Sequence, residues 1–153
     1  MSVIPGIAVA GAGFLLAVLW FDLMFDVQAL RQPPGDLPEP VLASTAAYYA
    51  RVTTGARPMN RLIALAMLVT LAAVIGELVR HCVPAWVAWA SLAIGGSAVG
   101  LAGARTVRNG VRLGARGDAA SAQSALARSI LRDHVFCFVC ILTVLALQIG
   151  WGR

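Results

Sequence analysis

Lysine is absent from this chain, and all twelve basic residues are arginine. Charge of either sign is scarce: 12% of the 153 residues are charged, against about 25% in a soluble domain. A chain so poor in charge keeps much of its length out of water. The net charge of +5 comes without zinc-finger spacing or an aromatic RNA-binding motif, which sets nucleic acid aside and leaves the anionic face of a membrane as the nearer partner. The three cysteines make no disulfide framework. No basic segment precedes the first apolar run at Met1 to Gly6, so the start reads as a spanning helix rather than a cleaved signal.

What the chain has instead is apolar length. Hydrophobic residues make up 59% of it. A helix needs about 20 mostly apolar residues to cross a bilayer, and four stretches qualify: residues 3–27, 60–79, 84–104 and 133–151. Unsatisfied backbone groups are costly in lipid, so these are helices. The expected fold is all-α, a four-helix transmembrane bundle forming one integral membrane domain over residues 1–153.

Orientation follows from the arginines. Arg31, Arg51, Arg57 and Arg61 lie between the first and second spans, and Arg105, Arg108, Arg112, Arg116, Arg128 and Arg132 between the third and fourth, leaving Arg80 and Arg153 for the other side. Both long loops are therefore expected in the cytoplasm and both termini outside, in a bacterial inner membrane. Trp86, Trp89 and Trp151 suit the outer interface, and Trp20, Phe21, Tyr48 and Tyr49 the inner one. Four prolines between Pro33 and Pro40 forbid a continuous helix there. Beyond them, residues 41–52 suit a short helix on the membrane surface. Arg105, Arg108, Arg112 and Arg116 recur at helical spacing, so the third span should continue into the cytoplasm, turn near Gly114–Asp118, and return through residues 119–132 into the fourth. That hairpin would dock on anionic lipid through its arginines, at about 1 kcal/mol each.

Ionisable residues within spans are expensive and point to function. Asp22 and Asp26 share a helix face and lie at the same membrane depth as Asn60, Arg105, Arg132, Asp133 and His134. If the bundle brings them together, Asp22, Asp26 and His134 can do acid–base work, while Arg105 and Arg132, with Asn60 and Asp133, hold an anionic group. A divalent metal on the two carboxylates and the histidine is a further reading. So is plain ion pairing of Asp22, Asp26 and Asp133 with Arg61, Arg105 or Arg132. No metal or cofactor is assigned. Asn60, Met67, Thr70 and Glu77 form an inward stripe on the second span, with Glu77 in reach of Arg80 and His81 for a local ion pair, or at the end of a proton or ligand path. Cys137 and Cys140 read as small core residues. His81 and His134 lie on opposite sides and cannot share a haem. Gly96 and Gly100 allow close helix contact, within one molecule or between two.

Pro58-Met59-Asn60 leading into the second span, Arg105-Thr106-Val107-Arg108-Asn109 after the third and Arg132-Asp133-His134 opening the fourth resemble the punctuation of the anthrone-oxygenase-like family of small four-helix membrane proteins. The resemblance implies the four-helix fold, a role for His134, and oxidation of polycyclic phenols without a bound cofactor. The family's aromatic-rich lead into the fourth helix is replaced here by Ala127-Arg128-Ser129-Ile130, and Asp22 and Asp26 are not part of its pattern. The function expected is therefore the handling of a small hydrophobic or lipid-like molecule in a pocket near the cytoplasmic leaflet, with an oxygenase-like enzyme as one form. The alternatives are an accessory subunit of a membrane complex, as a homo-oligomer or with a partner chain, and a proton-coupled transporter built by oligomerisation, although no inverted repeat is visible.

Overall fold

A computed structural model describes residues 3–151, apart from the Arg57 side chain; Arg153 and the Arg57 side chain, both counted in the arginine tally, lie outside the described residues. The chain runs as α1 (Val3–Leu30), α2 (Glu39–Tyr49) continued by a π-helical segment Ala50–Gly55, α3 (Arg57–Arg80), α4 (Ala85–Leu101) continued by a π-helical segment Ala102–Thr106, α5 (Val107–Ala115) and α6 (Ala120–Trp151). Four helices are long and apolar enough to cross a membrane: Val3–Leu30, Pro58–Arg80, Ala85–Ala115 and Ala120–Trp151. All described elements are helical.

Each helix is longer than its apolar core predicts, because polar residues extend it past the apolar run. α1 continues to Leu30, and α4 and α5 form one rod across the π segment. The rod ends where Arg116 adopts a left-handed conformation (φ 55°), closing α5 with its N–H on the Leu113 carbonyl. α6 then returns unbroken from Ala120. In the bundle, α1 and α4 each pack on both α3 and α6. Small residues set the α1–α3 approach: a Cβ on Gly11 would fall 3.2 Å from the Thr70 Cβ.

The short helix expected over residues 41–52 forms as α2 and the π-helical segment that continues it, and one face of it packs on protein. Leu42, Thr45, Ala46 and Tyr49 form one buried face of α2, and Leu42 and Tyr49 enter a core with Ala29, Leu37, Leu113, Leu126, Ala127 and Ile130. That face is used against α5 and the first half of α6. Glycines permit the contact. A Cβ on Gly110 would lie 3.1 Å from the Tyr49 ring, and one on Gly114 would lie 2.7 Å from the Ala50 nitrogen. Arg128 ties the proline-rich loop down, donating to the carbonyls of Ala29 (3.2 Å), Pro33 (2.6 Å) and Gly35 (3.2 Å). Gly96, Gly100 and Gly103 have nothing within 4 Å of a built Cβ, so they do not mediate packing inside this chain.

Candidate functional site

α1 places Asp22 and Asp26 one turn apart, facing α2 and α6. Adjacent residues on a helix diverge by about 100°, and Tyr48 and Tyr49 use that divergence to reach one carboxylate each. Tyr48 Oη donates to Asp22 Oδ1 at 2.6 Å, and Tyr49 Oη to Asp26 Oδ1 at 2.7 Å. His134 joins the pairs from α6. Its Nδ1 lies 2.6 Å from Asp26 Oδ2 and 3.4 Å from Tyr49 Oη, and its Nε2 lies 3.9 Å from Asp22 Oδ2. Asp26 is 1% exposed and His134 8%. Phe25 stacks on Tyr48 at 4.0 Å between ring centroids, fixing that ring. Burial and the facing carboxylates hold both phenols well above their ordinary range, so they remain proton donors to Asp22 and Asp26.

Asp26 therefore accepts from Tyr49 on one oxygen and faces His134 on the other. A carboxylate oxygen at this distance from Nδ1 favours the tautomer with the proton on Nδ1, in which Nε2 is the basic nitrogen. His134, Asp22, Tyr48 and Tyr49 form the polar end of a cavity of about 290 Å³. The remainder of its lining is mostly apolar, with Leu15, Leu19, Ile63, Met67, Ala98 and Ile141 reaching into the bundle. The exposed Phe21, Met59 and Val107 also line it. Both π-helical segments contribute wall residues, Val52 and Thr53 from one and Ala102 and Thr106 from the other. Such segments recur at functional sites because they re-aim side chains within a helix. Asn60 lines the cavity and braces the first segment, donating from Nδ2 to the Thr53 carbonyl at 3.0 Å.

Thus Asp22, Asp26, His134 and Asn60 share one site, while Arg105, Arg132 and Asp133 do not join it. Asp133 is 1% exposed and faces the α4–α5 rod, where Arg105 Nε donates to its Oδ2 at 3.0 Å, Arg105 Nη2 donates to Oδ1, and Thr106 Oγ1 donates to Oδ2 at 3.1 Å. Arg105, Arg132 and Asp133 line a separate depression with Ser97, Leu101 and Phe136. Membrane depth predicts one pocket; residues adjacent on a helix face different neighbours, so Asp133 and His134 serve two. From sequence, Tyr48 and Tyr49 read as interface aromatics. The available signal was their adjacency on a segment able to fold over an i, i+4 acidic pair.

Among the described residues, no group of three or more His, Cys, Asp or Glu side chains is arranged to hold a metal ion. The carboxylates turn to tyrosines and to His134 Nδ1 rather than to one point. Glu77 does not form the expected pair with Arg80 or His81. It is fully buried, and Gln148 Nε2 donates to its Oε2 at 2.8 Å and to Ser91 Oγ at 3.2 Å. On the same stripe, Asn60 and Met67 line the cavity, whereas Thr70 packs beyond it with its hydroxyl donating to the Ala66 carbonyl at 2.7 Å. Cys137 and Cys140 are buried and unbridged, with Cys137 also on the cavity wall. Comparison of the chain with protein-family models, with curated proteins and with solved structures finds no match.

Proposed function

We propose that this chain binds a small hydrophobic molecule with a weakly acidic O–H or C–H group, and that His134 takes the proton from it. The observation that carries the reading is the 2.6 Å contact between His134 Nδ1 and Asp26 Oδ2 at the polar end of an otherwise apolar cavity. A volume of about 290 Å³ stands at the lower edge of the roughly 300–1,000 Å³ common for small-molecule sites. The apolar wall desolvates the body of the ligand, and its acidic group meets His134 Nε2. The imidazolium formed on proton transfer is stabilised by Asp26 directly and by Asp22 across 3.9 Å. Tyr48 and Tyr49 hold those carboxylates in place. An oxygenase-like enzyme acting on a phenolic carbanion or phenolate is one form of this activity, consistent with the family resemblance. The bundle sits in a bacterial inner membrane with its arginine-rich end, and hence the cavity, on the cytoplasmic side.

The test uses protein in nanodiscs and a panel of polycyclic phenols beginning with anthrone. Wild-type protein is expected to bind a member of the panel and shift its absorbance to that of the deprotonated form. His134→Ala should abolish the shift while the phenol still binds. Asp26→Asn should weaken proton transfer by about 10²-fold or more. Binding without any shift in wild type would refute the base. Equal affinity and equal shift in all three proteins would refute the site. A second reading, a non-catalytic subunit of a larger complex, draws on Gly96, Gly100 and Gly103, whose open face suits close approach by another helix. Recovery of a stoichiometric partner in mild detergent, with no phenol bound, would favour it.

A further inference from the structure

The depression outside the cavity has its own chemistry. Arg105 and Arg132 both line it, one from the α4–α5 rod and one from α6. The Arg105 guanidinium is held by two donations to Asp133, whose carboxylate is also fixed by Thr106. Yet the Arg105 side chain is 55% exposed, and the donations to Asp133 use Nε and Nη2 and not Nη1. Arg132 is exposed and has no ion-pair partner among the described residues. Two guanidinium groups and one buried carboxylate leave the depression with one net positive charge.

Directly beneath the arginines the lining turns apolar. Leu101 lies one helical turn from Arg105, Ser97 a further turn on, and Phe136 one turn from Arg132. The Ser97 hydroxyl is already used, donating to the Ile94 carbonyl at 2.7 Å. Both rows run along helices long and apolar enough to cross a membrane, with charge toward the arginine-rich end and apolar side chains toward the middle. That order of charge above hydrocarbon is the order within a phospholipid. We infer that this depression is a seat for one anionic phospholipid, its phosphate between Arg105 and Arg132 and the start of its acyl chains along Leu101, Ser97 and Phe136. A locked guanidinium loses little freedom on binding, and arginine matches phosphate oxygens in paired hydrogen bonds. A zwitterionic head would bring a cation to the same two arginines, so a net negative head is preferred.

The experiment is native mass spectrometry of the chain released from phosphatidylcholine nanodiscs doped with phosphatidylglycerol. Arg132→Ala removes a side chain with no ion-pair partner and is expected to leave the melting temperature unchanged. It should lower phosphatidylglycerol occupancy by about tenfold or more, the loss expected for charge-assisted hydrogen bonds. Phe136→Ala should lower it as well, without changing charge. Arg51→Ala removes the same charge from an exposed position at the same end and should lower it by no more than about fivefold, as for a diffuse surface charge. Equal losses in Arg132→Ala and Arg51→Ala would overturn the site and leave only a basic surface. Binding of soluble glycerol phosphate as tightly as phosphatidylglycerol would overturn the lipid assignment, because the apolar wall would then contribute nothing.

Discussion

Tyr48 and Tyr49 each spend a phenolic hydrogen on an aspartate of α1, and that pairing gives the site its charge distribution. Without it Asp22 and Asp26 would be two carboxylates one turn apart, with only His134 to offset their mutual repulsion. Both phenols titrate above the ordinary value of about 10 because burial and the facing carboxylates penalise the phenolate. The unfolded chain releases these protons first, so it binds fewer protons than the folded protein above about pH 10. The stability the pairs contribute is therefore complete below that pH and is lost as pH rises through and beyond it. The chain has only two tyrosines, so a spectroscopic titration sees no others. Folded protein is expected to show no tyrosinate absorbance between about pH 10 and 11, and the signal should emerge together with unfolding. Tyrosinate appearing in folded protein at an ordinary value would show that the Tyr–Asp pairs do not form. At this scale Asp22, Asp26 and His134 were legible in the sequence, since ionisable groups in apolar runs are few. Their tyrosine partners were not, because an aromatic residue beside a membrane has an ordinary explanation.

The elements α2 and α5 decide whether the tyrosines reach α1 at all. Two glycine pairs share the same four-residue spacing, Gly96 with Gly100 and Gly110 with Gly114. Sequence marks the first pair, which lies in a continuous apolar run, and the structure packs the second. A Cβ on Gly114 would meet backbone atoms of Ala50 at 2.7 Å and 2.9 Å, and backbone cannot rotate aside. Gly114→Ala should displace α2 from α5 and cost about 1–3 kcal/mol, despite the roughly 1 kcal/mol that alanine gains over glycine in a helix. Gly96→Ala meets nothing within 4 Å and should be neutral or slightly stabilising. Thermal melts of the two variants in detergent check the pair, and equal melting temperatures would contradict the packing of α2 on α5. The π-helical segments had no sequence signature. Each inserts its extra residue where the helix must bend its side chains toward the cavity.

At the scale of the whole molecule, the bundle places the His134 site near one end and the buried Glu77–Gln148–Ser91 group near the other. The end with the site also carries the turn at Arg116 to Asp118 and most of the arginines. Arginine bias predicts that this end faces the cytoplasm. In intact cells a membrane-impermeant maleimide should label native Cys82, which is partly exposed at the other end. It should label Ala119→Cys, made with the other cysteines removed, only after permeabilisation. The reverse pattern would invert the orientation and move the cavity to the outer leaflet.

Apolar run length and the cost of bare backbone in lipid determined from sequence alone four helices long and apolar enough to cross a membrane, and helical spacing determined that the third would run on past Arg105. Those are local properties, set within one helix at a time. Three things depended on the tertiary structure: which neighbour each face meets, that Asp133 turns to Arg105 while His134 turns to Asp26, and that α2 packs over the site with its tyrosines on α1. Two residues side by side on α6 point about 100° apart, and only the order of helices around the bundle says what stands in each direction.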